Sequence, residues 1–372
     1  MKESDNSPLP VVAGPKTPSV ISTVKPWETP VNGAQLLTAI AALFGRFLFL
    51  ADGVADAIAL WVAHVSCVNQ FRHSPRLAFC SAEAGSGKTV ALDLLHCLTP
   101  NPVLMDCPSE ASLCRLIHHL QPTLLLDETD NWLPNSKGIT SLINSGHRQG
   151  AMRVRCYGSQ VRKYNSFGPV ALAGLGELPS TLKTRSLVIR MLPPKPGEEP
   201  ELFDYLNCGH AMELGQQLTR WAIDNSDALR TCNPTLPLEA VNRLADNWRP
   251  LFAIAAVLGG EWIVRANAAF DALKAESFDE ISSGKMLLRA IKTILDARAV
   301  DRIASKEIVV ELARLEEPIS HAGRPVRGLT AQDIAQMLRP YRIKPCTMRI
   351  NGEVAKGYWA ADFADAVARY LR

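Results

Sequence analysis

One stretch constrains this chain more than any other: PRLAFCSAEAGSGKTVALDLL, Pro75 to Leu95. It opens with a short apolar run, closes with apolar residues at helical spacing, and between them places Gly85 and Gly87 two residues apart. A strand must turn into a helix over a few residues, and the glycines mark where the backbone takes its tightest path. The same alternation recurs. NPVLMDC, PTLLLDE, GPVALAGLG and RSLVIRMLP are continuous apolar runs, and segments such as SEASLCRLIHHL between them have helical period. Continuous apolar strands alternating with helices predict an α/β fold, a mostly parallel sheet covered on both faces.

The turn AEAGSGKT has the make-up of a phosphate-binding loop, with Ala82 where a glycine is commonly found. Gly85 and Gly87 let backbone N–H groups approach phosphate without a Cβ in the way, and Ala84 and Ser86 complete the cradle. Lys88 would reach the outer phosphates and Thr89 would hold Mg²⁺ from the first helical turn, whose N-terminus favours an anion. About forty residues later TLLLDE ends an apolar run in Asp127 and Glu128. The first acid suits the Mg²⁺ shell and the second suits activation of an attacking water. Both halves, in this order, predict ATP and Mg²⁺ as ligands, Asp127 and Thr89 as metal-side groups, and hydrolysis with Glu128 and Lys88 as catalytic groups.

Of 372 residues, 47% are hydrophobic, enough for more than one core, and the formal net charge is +3. The charge is uneven: from Ser283 onward there are 16 Lys+Arg against 10 Asp+Glu, and 24 against 27 before it. A basic C-terminal module on a near-neutral body suits a polyanionic partner. The nine cysteines have irregular spacing and form no CxxC pair, and Cys208 beside His210 lacks a second pair for a tetrahedral metal site. They read as buried thiols of a reduced, cytoplasmic protein. Arg46, Asp52 and Asp56 interrupt the most apolar region, so no membrane span is expected.

The expected order is a disordered leader over 1–27, N-terminal helices over 28–70, the nucleotide-binding core over 71–200, a helical lid over 201–282, and a final module over 283–372. In that module three helical segments precede CTMRINGEVAKGYW, with Asn351-Gly352 as a turn. This is the outline of a winged helix-turn-helix.

Through LLLDETDNWL, LINSGHRQG and GPVALAGLGELPSTLKTRSLVIRM, and through NWRPLFAIAAVLGGEW and the tail from LRPYRIKPCTMRI, the chain resembles a known group. These are the AAA+-type P-loop ATPases of plasmids, prophages and integrative elements, domain-of-unknown-function family 3631, often described as helicase- or primase-associated. The resemblance runs from about Pro30 to Arg372. It implies a P-loop NTPase (AAA+-like) core and replication or DNA processing on mobile elements. It also implies a homo-oligomer, most simply a hexameric ring, with a primase or other replication protein as a possible partner. Arg185 in STLKTRS falls where an arginine finger completes a neighbouring subunit's site, with a capping role as the alternative and Arg190 as the weaker candidate. Arg249 in NWRPL falls where a lid arginine senses nucleotide, with Arg243 as runner-up. One departure stands out: VALAGLG offers no polar sensor at its end. Asn144 or His147 is the candidate substitute, with local capping as the alternative.

Two basic regions fit a nucleic-acid partner. Arg148, Arg153, Arg155, Arg162 and Lys163 lie in a segment without acids that reads as a hairpin turning at Gly158-Ser159, with Tyr157 placed to stack on a base. Such a hairpin can equally be an ordinary solvated ribbon or a subunit contact. Arg339, Arg342, Lys344, Arg349 and Lys356 crowd the end of the third C-terminal helix and its wing, where phosphate contacts are made. The leading expectation is an oligomeric ATP-driven DNA helicase or translocase of a mobile genetic element. The alternatives are an ATP-dependent initiator or helicase loader without unwinding, and a nucleotide-switched signalling or defence ATPase.

Overall fold

The computed structural model describes residues 25–157, 160–195, 197, 200–277, 283–298, 300–314, 320–321, 324–325, 329–350 and 352–371. The leader up to residue 24, the Gly158-Ser159 turn and Asn351 lie outside the described residues, as does the Tyr157 side chain. The chain forms two compact units, Met1–Phe278 and Asp279–Arg372.

The first unit opens with helices α1 (Gly33–Phe47) and α2 (Val54–Ser66). Asn32 caps α1, its side chain accepting from Gln35 N at 3.2 Å. Strand β1 (Arg76–Ser81), helix α3 (Lys88–Leu98), β2 (Pro102–Met105), α4 (Glu110–Leu120) and β3 (Thr123–Leu126) then alternate. The short helices α5 (Thr129–Trp132) and α6 (Lys137–Ser145) lead into a ribbon, β4 (Met152–Tyr157) and β5 (Gln160–Asn165). Next come β6 (Val170–Leu175), α7 (Ser180–Lys183) and β7 (Ser186–Arg190), followed by α8 (Gly209–Asp224), α9 (Ser226–Thr231), α10 (Asn242–Leu258) and α11 (Trp262–Ser277).

The five continuous apolar runs form one sheet in the order β2-β3-β6-β1-β7, every neighbouring pair parallel. Strand period 2 divides it cleanly. Leu77, Phe79, Ala173 and Ile189 face one helical layer, while Ala78, Cys80, Leu172 and Val188 face the other. The second layer is α4, α5 and α6. The first contains α3 together with α1, α2, α8, α10 and α11. Trp61, Trp248 and Trp262 are each fully buried there, each contributing roughly 1.5–3 kcal/mol or more through the area removed from water.

Of the expected lid, 201–282, the structure describes residues up to 277. The apolar faces of α8, α10 and α11 bury against 28–70 and the sheet in one continuous core, and among the described residues none from 201 to 277 lines the cleft described below. The Trp262 indole donates to Ala34 O at 3.0 Å, and Arg265 bridges Asp56 and Thr38, so polar contacts lock the same interface.

The second unit contains α12 (Ser283–Arg298), β8 (Arg302–Ala304), α13 (Ser305–Ala313), the two-residue strands β9 (Ser320–His321) and β10 (Arg324–Pro325), and α14 (Ala331–Leu338). It ends with β11 (Cys346–Ile350), β12 (Glu353–Trp359) and α15 (Ala361–Tyr370). Thr330 and Asp333 make a reciprocal capping box that starts α14. β11, β12 and β8 form an antiparallel sheet, and Ile303 and Tyr358 bring it into a core with Leu287, Ile291, Ile334 and Phe363. Neither strand β8, only three residues long, nor the amphipathic helix α15 was anticipated from sequence.

Candidate functional site

β1 ends at Ser81 and α3 begins at Lys88. The loop between them uses its glycines where the geometry demands it: φ is +79° at Gly85 and +85° at Gly87, in the left-handed region where a Cβ is costly. At Gly87 an added Cβ would also sit 3.0 Å from Leu48 Cδ2, while at Gly85 it would meet nothing within 4 Å, so there the left-handed backbone alone favours glycine. Ala82 stays out of the left-handed region. That is why an alanine suffices at the first position.

The Lys88 ammonium turns back over the loop. Nζ donates to Ser81 Oγ at 2.5 Å, to Glu83 O at 3.3 Å and to Ser86 Oγ at 3.4 Å. Ser81 Oγ in turn donates to Glu83 O at 2.6 Å. The last residue of β1 thus sets the position of the cation.

β3 delivers the acids. Asp127 Oδ1 accepts from Glu128 N at 2.8 Å, and the Trp132 indole donates to Asp127 O at 3.1 Å. Glu128 is exposed and sits at φ +47°, a conformation costing a non-glycine residue about 1–2 kcal/mol. The segment after it is tied to the end of β6. Thr129 Oγ1 donates to Ala173 O at 3.0 Å, and Asp130 Oδ1 accepts from Leu175 N at 2.9 Å. Asn131 Nδ2 donates to Glu128 Oε2 at 3.1 Å.

Gly174 makes this docking feasible. A Cβ there would lie 2.5 Å from Thr129 Oγ1 and 3.1 Å from Asp130 N. At Gly174 itself a polar sensor is therefore excluded, because any side chain there would collide with α5; the next residue, Leu175, carries an exposed apolar side chain into the cleft lining.

A cleft of about 570 Å³ lies at the C-terminal ends of β1, β3 and β6, the usual ligand crevice of a parallel sheet. Ala84, Gly85, Ser86, Gly87, Lys88 and Thr89 line it from one side, and Asp127 and Glu128 from the other. Asp130 and Asn131 also line it. Both were missed in the sequence, although the spacing of Asn131 three residues beyond Glu128 in a short helix was the available signal. On α3, burial and the nearby Asp127 carboxylate raise the Asp93 pKa, opposed by His96.

Other singled-out residues lie elsewhere. Arg185 precedes β7 at the sheet's opposite end, its Nη1 donating to Thr181 O at 2.5 Å. Arg190, at the cleft end of the same strand, pairs with Glu177. The exposed Arg249 on α10 donates to Asn233 Oδ1 at 3.2 Å and is absent from the cleft lining. The reason is the burial of the opposite face of α10 in the helical layer. Asn144 bonds Thr181 Oγ1 at 3.0 Å, and the buried His147 donates from Nε2 to Asn247 Oδ1 at 2.8 Å; neither lines the cleft.

The basic ribbon is divided by its pleat. Arg153 pairs with Glu110 Oε1 at 2.6 Å, and Arg155 shares the same carboxylate, which these partners hold below the usual glutamate range. Lys163 is paired in register with Val154 on the other face, where Met152, Val154 and Val161 are exposed. Arg148 precedes the ribbon and bridges to His73. In the second unit Arg339, Arg342, Lys344, Arg349 and Lys356 are all exposed. Thr347 opposes Lys356 and Arg349 opposes Val354, so both cations share one face of the β11–β12 pair.

Among the described residues, no group of three or more His, Cys, Asp or Glu side chains has a metal-binding arrangement, and no helix is long and apolar enough to cross a membrane.

The family model described as protein of unknown function DUF3631 matches residues 190–370. The cleft lies outside that match. An uncharacterized 28.9 kDa protein in the xis 5′ region of Saccharopolyspora erythraea is 33% identical over 165 residues, 43% of this chain. The chain spans 60% of the length of that relative. Among solved structures, the apo A form of the NrS-1 C-terminal region aligns over 92% of this chain and 79% of its own, with 11% identity and a TM-score of 0.44.

Proposed function

We propose that the chain is an oligomeric, ATP-driven motor acting on DNA in the replication of a mobile element, with a P-loop NTPase core and a C-terminal winged helix. The observation that carries this reading is the meeting of Lys88, Thr89, Asp127 and Glu128 in one cleft at the C-terminal ends of a parallel sheet. The residues suit the ligand. Gly85 and Gly87 line the cleft, α3 turns its N-terminus to it, and Lys88 is held within the loop by oxygens that phosphate would replace. Thr89 and Asp127 supply two oxygen donors, the number Mg²⁺ takes when water and phosphate fill the rest of its octahedron. Held there, Mg²⁺ would neutralise phosphate charge.

The chain's own groups then divide the work. Lys88 binds the outer phosphates. Glu128, oriented by Asn131, accepts a proton from water in line with the terminal phosphate. Arg185 of a second copy brings positive charge to the transition state.

For the DNA partner, support comes from the exposed cations of the second unit and from Arg162 and Lys163 on the ribbon. The mobile-element setting is supported by the name of the Saccharopolyspora relative, which is assigned to an xis 5′ region. The test is ATP turnover with and without single-stranded DNA, paired with strand displacement on a forked duplex. A motor shows several-fold stimulation and displaces the strand. Duplex binding without displacement indicates an initiator or loader, and assembly that follows ATP regardless of DNA indicates a switch.

A further inference from the structure

At the end of the sheet away from the cleft lies a pocket of about 340 Å³, within the size range of small-molecule sites. Three strand starts contribute to its lining: Asn101 just before β2, Thr123 as the first residue of β3, and Pro169 just before β6. The nucleotide cleft is at the opposite ends of these strands, and the length of β1, roughly 20 Å, separates the two.

Helices that cross back over a parallel sheet end where its strands begin. α2 ends at Ser66, α4 at Leu120, and α3 at Leu98, three residues before Asn101. Ser66, Leu120 and Asn101 all line the pocket. The last carbonyls of a helix lack an intrahelical partner, and each C-terminus carries close to half a negative charge. Among the described residues, no Lys, Arg, Asp or Glu lines the pocket, so no side-chain charge there answers the three helix ends. Arg72 and Arg148 lie at the same end of the sheet but outside the lining.

Two side-chain oxygens at this pocket are also unsatisfied. Among the described residues, Asn101 Oδ1 and Ser66 Oγ are shut off from solvent and have no hydrogen-bond partner, a costly state for a polar atom. Neither gives up a hydrogen bond when its side chain turns about one torsion toward the pocket. The backbone around them is fixed. Thr123 donates from N to Asn101 O at 3.0 Å and from Oγ1 to Pro100 O at 2.7 Å. Cys67 N donates to His64 O at 3.1 Å, and Gln121 N to Ile117 O at 3.1 Å.

We propose that this pocket binds a small organic cation through a primary ammonium group. An ammonium has three N–H donors and no acceptor, which suits Asn101 Oδ1, Ser66 Oγ and a carbonyl at a helix end. Leu120 and Pro169 give its carbon chain apolar contact. The same helix ends disfavour an anion, and a bare metal ion leaves most of the volume unfilled. The site is independent of the nucleotide reading of the cleft.

The test titrates the full chain at pH 7.5 and about 150 mM salt with putrescine, by calorimetry and by melting curves. Butanediol, its neutral analogue, and KCl are the comparisons. Putrescine fills one saturable site and raises the melting temperature with concentration, and butanediol does neither. Asn101 sits at φ +46°, so Asn101→Gly keeps the backbone while removing the oxygen. It weakens putrescine binding about 10-fold, as does Ser66→Ala. Both variants melt close to wild type without the amine, because neither atom has a partner to lose. Asn101→Asp tightens binding about 10-fold by adding a charge. Putrescine affinity unchanged in both oxygen-deleting variants overturns the proposal, because the amine is then held elsewhere, as by the acids of the cleft. An equal response to butanediol overturns it too, and so does a response to KCl with none to putrescine.

Discussion

Asn131 donates from Nδ2 to Glu128 Oε2 at 3.1 Å, so the carboxylate at the mouth of the cleft is oriented by a residue of its own short helix. Orientation is what a general base needs most, because proton transfer requires hydrogen-bond reach to the attacking water. Glu128→Gln should lower ATP turnover by about 100-fold or more and leave ATP binding intact. Asn131→Ala removes a hydrogen bond to a charged group, about 1.5–3 kcal/mol, and should lower kcat roughly 10- to 100-fold with KM nearly unchanged. Steady-state kinetics against ATP concentration separates the two parameters. A rise in KM alone would assign Asn131 to binding.

Lys88 is held by three oxygens of its loop, contacts formed without any phosphate. Lys88→Ala should therefore leave thermal stability within about 1 kcal/mol of wild type and abolish high-affinity ATP binding. Calorimetric titration beside a melting curve distinguishes this from unfolding.

Gly174 stands where α5 crosses the end of β6, and a Cβ would come within 2.5 Å of Thr129 Oγ1. Gly174→Ala should destabilise the first unit by about 1–3 kcal/mol through overpacking, and should impair turnover by displacing the segment that holds Glu128. A variant with wild-type melting behaviour would show that α5 yields without cost.

Two buried histidines give the first unit a pH dependence. His64 is pushed down to about 3 by burial and then by Arg76. His147 is likewise pushed to about 3 by burial and then by Arg76, its hydrogen bond to Asn247 acting the other way. Both stay neutral when folded and take up a proton near pH 6.5 when unfolded. Stability is thus complete above pH 6.5 and declines as the pH falls from 6.5 toward 3, on the order of 1 kcal/mol per pH unit for each ring. Urea unfolding at pH 7.5, 6 and 5 measures it, and His64→Gln should flatten the slope. Equal stability at all three pH values would contradict the assignment.

Glu110 holds Arg153 and Arg155 on the ribbon. If the ribbon meets a nucleic-acid backbone, Glu110→Gln frees two guanidiniums and should steepen the dependence of log K on log salt by about 1–2. An unchanged slope would remove these arginines from the DNA contact.

The strands were legible because a doubly covered parallel strand is apolar at every position, as Leu124, Leu125 and Leu126 are, each at most 1% exposed. Gly85 and Gly87 were legible because their backbone admits little else. The fate of 201–282 was not. Helical period says that one face is buried, and nothing in it says that Trp248 and Trp262 bury theirs with α1 and α2 instead of over a ligand. Likewise the ribbon's arginines were plain in sequence, while their partner Glu110 lies more than forty residues earlier. Long-range pairing of charges leaves no periodic trace.

Among the described residues, the ribbon β4–β5 pairs with no larger sheet. Its root is bolted to α4 by Glu110 and by the hydrogen bond from Asn165 N to His118 Nδ1 at 3.1 Å. A six-residue strand is roughly 20 Å long, and Arg155, the fourth residue of β4, still belongs to the anchored part. Mechanically it is a splint: Arg153, Arg155 and Asn165 fix most of its length to α4, so a tilt of α4 carries the anchored strands with it as one rigid body.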